Sequence, residues 1–223
     1  MTIHETTTST EAPTRPTHDG ERVAVEEEAR VGPLVGNPLL LGLPAFAAGS
    51  VAFGLSFIGY VPPAAQAGAL PVIIAATGIG LLIATVWAIA LGQSAVASVF
   101  GVFAGFWLSY ATLVLGLAHN WFGIPTRDVT HTVAAFLIVW LAIIGLLTLA
   151  LLRLPFGFEL VLLLVDAALV LLLIGTINAS PNLNKAGGWV ALVFAAVGGY
   201  LFTGAASVAT GGEPLPLGRP ILT

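Results

Sequence analysis

The chain has 223 residues, 57% of them hydrophobic and only 8% charged, with a mean hydropathy of +1.00. A soluble domain carries about a quarter charged residues, so this composition excludes one and implies a multi-pass membrane protein. The formal charge of −4 belongs to the first 36 residues, which hold seven of the eleven acids. The basic residues are scattered, which excludes a nucleic-acid surface. With no cysteine, disulfides, thiol catalysis and thiolate metal sites are excluded too.

Met1 to Gly36 is rich in Thr, Glu and Pro and lacks periodicity. It reads as a disordered acidic tail with room for a short helix over 23–30. It has no short apolar core near Met1, so it is not a signal peptide. Asn37-Pro38 then opens the first span. Asn accepts a bond from a free first-turn amide, and Pro gives up a donor that had no partner there.

Six apolar runs follow, at about 39–61, 69–91, 95–118, 132–152, 156–177 and 187–208. Each is near the ~20 residues a helix needs to cross a ~30 Å hydrocarbon core. The runs are continuous rather than alternating, so they predict helices and not barrel strands. Pro62-Pro63 stops the first, Gly92-Gln93 turns the chain between the second and third, and Arg153 to Pro155 separates the fourth from the fifth. The chain thus divides into a tail (1–36), an all-α six-helix transmembrane domain (37–210) and a short C-terminal tail (211–223).

An even number of spans puts both termini on one side. With the N-terminus inside, Arg15, Arg22, Arg30, Arg153 and Arg219 lie inside, and Arg127 and Lys185 outside. This bias predicts cytoplasmic termini in a multi-pass protein of the cell membrane. Tyr60, Trp121 and Trp189 then read as outer interface anchors.

The third span carries a small-residue stripe, Ser94, Ser98, Gly101, Gly105, Ser109 and Thr112, preceded by Gln93 in the turn. Steps of three and four place these residues on one helical face, and Gly101 with Gly105 forms a GxxxG. The face reads as a packing seam or as a polar lining.

The fifth span holds Glu159 and Asp166, seven residues apart and so on one face. Glu159 is close enough to the span's end to reach the interface. Asp166 is mid-membrane, where a charged carboxylate costs roughly 3 kcal/mol. It is the candidate proton-coupling or gating group, with a hydrogen bond between helices as the alternative. No pattern implies a cofactor. His119 and His131 lack a third metal ligand, and catalytic groups are almost absent, so an enzyme is not expected.

Asn37 to Leu43 reads NPLLLGL, Phe103 to Ser109 reads FAGFWLS, and Leu215 to Gly218 reads LPLG. In that order they resemble the acetate uptake transporter family, also called the succinate–acetate permeases. That family opens its first helix with NPAPLGL, and Asn37, Pro38, Leu41, Gly42 and Leu43 match. Ala88, Gln93 and Phe103 differ from the family's Glu, Asn and Tyr. The resemblance implies a six-helix protomer, assembly into a homohexamer with one pore per protomer, and a constriction carried here by Phe46, Phe103 and Val165. These three lie roughly 10–15 Å past the starts of parallel spans, at 1.5 Å per residue.

The implied activity is transport of small monocarboxylates through the bilayer, with acetate the first candidate and succinate the second, by an anion channel or proton symport. A purely apolar ring also suits a small neutral solute such as urea or ammonia. A third reading is an oligomeric membrane protein that transports nothing.

Overall fold

A computed structural model of the protein describes residues 35–222. The expected tail and the short helix over 23–30 lie outside the described residues, apart from Val35 and Gly36. Six helices are long and apolar enough to cross a membrane, and among the described residues there is no strand.

The first, α1 (Leu39–Ile58), starts as its sequence dictates: Asn37 Oδ1 accepts the Leu39 N–H at 3.0 Å. It ends at Gly59, whose φ of 87° lets its N–H turn back to the Leu55 carbonyl. The second span, α2 (Ala64–Ala90), begins earlier than the expected residue 69 because a 3₁₀ turn over Pro63–Ala69 leads into it.

Over Val72–Gly78, α2 widens into a π-helical turn, and the Ile79 N–H reaches the Ile74 carbonyl five residues back. This turn is wedged between neighbours. The Thr77 side chain occupies the place where Gly49 of α1 lacks a Cβ, and Gly78 lies against Leu108 of the next helix. Hydropathy does not encode that wedge, so the sequence predicts an unbroken α-helix here.

The turn at Gly92 (φ 68°) leads to α3 (Ser94–Ala118). A 3₁₀ turn at Thr126–Asp128 leads to α4 (Val129–Ala150), and Pro155 precedes α5 (Phe156–Ile177). The last helix, α6 (Pro181–Ala209), starts six residues before the expected 187. Ser180 caps it, accepting the Leu183 N–H at 3.4 Å, and Pro181 takes the first helical position. The polar residues Asn182, Asn184 and Lys185 hide this start from a hydropathy reading.

α6 packs along both α1 and α5, α4 along α5, and α2 along α1 and α3. Glycines set the closest approach. A Cβ on Gly54 would stand 2.9 Å from the Gly188 carbonyl, and one on Gly188 would stand 2.8 Å from Phe57 Cβ. Such small-residue contacts bring membrane helices together where no hydrophobic drive separates protein from lipid.

α1, α3 and α5 all start on one face of the bundle, here termed proximal. After α6 the chain runs back across that face. The Leu217 carbonyl accepts the Gly157 N–H at 2.7 Å, the Leu152 carbonyl accepts the Leu222 N–H at 3.0 Å, and the Tyr200 hydroxyl donates to the Pro216 carbonyl at 2.8 Å. The C-terminal segment thus straps the proximal ends of α5 and α6.

Large apolar side chains such as Ile83, Val86, Leu146 and Leu149 remain exposed, as a surface facing lipid or other subunits requires. Tyr60 and Trp121 are exposed beyond the other ends of their spans, and Trp189 is exposed within the first turns of α6 on that same side, where interface anchors belong.

Gly188→Ala places a methyl against the backbone of α1, 2.9 Å from the Ile58 nitrogen. Overpacking of this kind costs about 1–3 kcal/mol. The variant should melt at lower temperature in detergent, and an unchanged melting curve would show that α1 and α6 are not held this close.

Candidate functional site

Two cavities lie in line through the bundle. The proximal one, about 220 Å³, is lined by Leu39, Leu43 and Phe46 of α1, Phe100 and Phe103 of α3, and Phe158 of α5, among other apolar groups. The distal one holds only about 10 Å³, with Phe53, Phe103, Trp107, Val165, Leu169 and Phe194 in its wall. Phe103 borders both, so the closure between them passes across its ring.

The closure is aromatic. The Phe46 ring centroid lies 4.9 Å from that of Phe103, 5.6 Å from Phe194 and 6.5 Å from Trp107. Behind it, Phe53 and Phe106 pack edge-on to Trp107 at 5.6 and 4.9 Å. Each such pair contributes about 0.5–1.5 kcal/mol beyond its buried area. The plug therefore has its own cohesion and offers no charge to a passing ion. An apolar contact of this kind gives a bare anion nothing to replace its hydration.

Local sequence explains the positions. Gly198 of α6 lacks the Cβ that would stand 3.4 Å from the Phe46 ring, which leaves Phe46 room beside Phe194. Gly42 does the same for the Phe100 ring at the cavity wall. Leu43 lines the proximal cavity, Leu41 packs half-buried against the core, and Pro38 is buried at the start of α1. The first amides of α1 are already engaged: Leu39 bonds to Asn37 Oδ1, Leu40 to the Asn37 carbonyl and Leu41 to the Pro38 carbonyl. This helix end thus presents its dipole at the mouth and no free donors.

Asp166 sits next to Val165 in sequence, but its side chain turns away from both cavities into the seam between α4 and α5. Its Oδ2 lies 2.7 Å from Thr148 Oγ1, which is also 3.0 Å from the Ile144 carbonyl. Asp166 Oδ1 is buried without a partner. Glu159, expected to reach the interface, is fully buried, and neither of its oxygens has a hydrogen-bond partner. The C-terminal strap bonds to the first turn of α5 and to the α4–α5 turn, and Glu159 has no exposed surface despite its position near the helix end.

A family model described as the GPR1/FUN34/yaaH family matches residues 25–213. The chain belongs to the GPR1/FUN34/yaaH family. This is the acetate transporter family that its motifs resemble, a family of membrane transporters and channels and not of enzymes. The chain is 29% identical over 164 residues to the "meiotically up-regulated gene 86 protein" of Schizosaccharomyces pombe, a match that takes in 66% of this chain. It spans about half the length of that relative (50%). The solved structure of the bacterial acetate channel SatP superposes with a TM-score of 0.73 at 22% identity, over 82% of this chain and 99% of that one. The six-helix fold is shared with that channel.

Within this family member, the middle of the stripe on α3 faces neighbouring helices, while Ser94, Ser98 and Thr112 are exposed. A Cβ on Gly101 would meet Thr85 of α2 at 3.3 Å, and one on Gly105 would meet Trp140 of α4 at 3.1 Å. Ser98 and Ser109 donate back to the Ser94 and Phe106 carbonyls of their own helix. Gln93 holds the turn, its N–H bonded to the Ala88 carbonyl at 2.9 Å. The cavities are lined by the other face of α3.

Phe46 and Phe103 meet as their positions predict, and Val165 stands beside Phe103 in the distal wall. Phe194 is the plug residue that sequence reasoning missed. Its signal is a single large aromatic in an otherwise small-residue stretch, Ala191 to Gly199.

Phe194→Ala and Phe46→Ala should each join the two cavities. Small-solute flux through liposomes carrying either variant should rise severalfold, with a stability loss of about 3 kcal/mol. Flux equal to that of the parent protein, with assembly intact, would place the closure elsewhere.

Proposed function

We propose that the protein carries small monocarboxylates across the cell membrane, acetate first and succinate second, with a proton accompanying the substrate. The observation that carries this reading is the pair of apolar cavities meeting at the Phe46–Phe103 contact, in a fold shared with a bacterial acetate channel. An apolar plug opposes a bare carboxylate and tolerates the neutral acid, so substrate and proton cross together. Asp166 is the candidate proton-coupling group, acting from the α4–α5 seam on the α5 segment that carries Val165.

The basic-residue bias supports a cytoplasmic proximal face and cytoplasmic termini. Family resemblance supports a homohexamer with one conduit per protomer. The exposed apolar faces of α2 and α4 provide surface for such contacts and for lipid.

A second reading, a channel for a small neutral solute such as urea or ammonia, is favoured by one feature. Phe103 has no hydroxyl, so the Phe46–Phe103 contact offers a carboxylate no hydrogen bond. The two readings separate in proteoliposomes. Labelled acetate uptake with internal acidification supports monocarboxylate transport. Osmotic swelling in urea without proton movement supports the neutral channel, and neither signal would sink both.

Asp166→Asn should abolish the pH dependence of acetate uptake while leaving assembly intact. A full pH profile in that variant would remove Asp166 from the coupling.

A further inference from the structure

The α4–α5 seam holds more polarity than a helix contact needs. Thr148 has one hydroxyl hydrogen and two neighbours that ordinarily accept: the Ile144 carbonyl at 3.0 Å and Asp166 Oδ2 at 2.7 Å. The carbonyl only accepts. Both contacts are good hydrogen bonds when Asp166 carries a proton on Oδ2 and donates to Thr148, which in turn donates to Ile144. A carboxylic acid at Asp166 would satisfy both contacts at once.

Two turns toward the proximal face, on the same side of α5, lies Glu159. It is fully buried, and both of its oxygens lack partners. The two residues stand about 10 Å apart along the axis, near enough for two charges in a low-dielectric seam to interact. Among the described residues no basic residue is paired with them. Between their ends, α1, α2 and α3 hold no Asp, Glu, Lys, Arg or His, α4 has only His131 and α6 only Lys185, both at the distal ends of their helices. Arg153 and Arg219 are exposed, on the α4–α5 turn and on the C-terminal strap. Among the described residues the single ion pair is Arg127 with Asp128. Buried polar groups without partners in hydrocarbon are costly, and buried ionisable groups there are functional by default.

We infer that Glu159 and Asp166 form one coupled proton-binding unit in the α4–α5 seam, beside the conduit rather than in it, with Thr148 as the acceptor for the Asp166 proton. Loading adds one proton from proximal water to a Glu159 carboxylate oxygen, forming one O–H bond, and release returns it. No other bond changes. Its place in a transport cycle rests on the proton-coupled reading above, but its existence as a proton-binding unit does not.

The test is pH-difference infrared spectroscopy of the full chain in liposomes, in H2O and D2O. Two buried carboxylic-acid bands are expected. Glu159→Gln should remove one and move the titration midpoint of the other, because the sites interact. Thr148→Val should shift the frequency of the Asp166 band alone by removing its acceptor. ¹³C-carboxyl glutamate in the unmodified protein marks all eight glutamates, among which Glu159 is picked out by the high frequency of a buried carboxyl group free of hydrogen bonds, even if a variant fails to fold. An unchanged spectrum in Glu159→Gln, or no isotope-shifted band from a carboxyl group free of hydrogen bonds, overturns the inference. Labelled acetate uptake is measured on the same vesicles. Bands without uptake would sink the monocarboxylate reading alone, and uptake without a Glu159 band would sink the proton unit alone.

Discussion

The close approach of α1 and α6 governs the rest of the bundle. Gly54 and Gly188 let the two backbones nearly touch, and Gly198 continues the same groove toward the proximal side. Phe46 and Phe194, one from each helix, can meet only because the axes are this near. With larger residues at these glycines, the helices would separate and the aromatic plug would lose one of its two sides. Close packing in the membrane is therefore what places the closure, since lipid supplies no hydrophobic drive between the helices.

The plug and the seam divide the polar work. Along the two cavities the walls are apolar, and a charge placed there would lose its hydration. Beside it, α5 carries its only two ionisable groups on a face turned toward α4. One helix thus presents Val161, Leu162 and Val165 to the cavities and Glu159 with Asp166 to a neighbour. Any change of charge in the seam acts on the helix that also forms the cavity wall, which is a mechanical route rather than direct contact with substrate.

Much of the fold is legible in the sequence. Continuous apolar runs identify the six helices, and Asn37-Pro38 marks the start of α1 to within one residue. What escapes is whatever depends on a neighbour. The π-helical turn over Val72–Gly78 answers the wedge between Gly49 and Leu108, and no local propensity reports that. The start of α6 is written in Ser180-Pro181 but masked by the polar residues after it. At the site, Phe46 and Phe103 come from the family resemblance, and their equal depth on parallel helices agrees with the contact they make. Phe194 lies on an antiparallel helix, where a count from the start gives no such alignment. Glu159 misleads for the opposite reason: distance from a helix end predicts access to water only when nothing packs against that end, and here the C-terminal strap bonds to its first turn.

The π-helical turn in α2 has a consequence for how the chain tolerates change. Such a turn accommodates one residue more than the surrounding α-helix would use. Removing a single residue between Val72 and Gly78 would let the hydrogen bonds return to the α pattern. The segments before and after it would keep their relative orientation, because the π turn already absorbs the roughly 100° that one more α-helical residue would add. An unbroken α-helix over all of the present residues would instead turn Leu70, now buried, toward the exterior. The extra residue therefore acts as a phase correction between the two halves of α2, keeping each half's apolar faces in register with different partners.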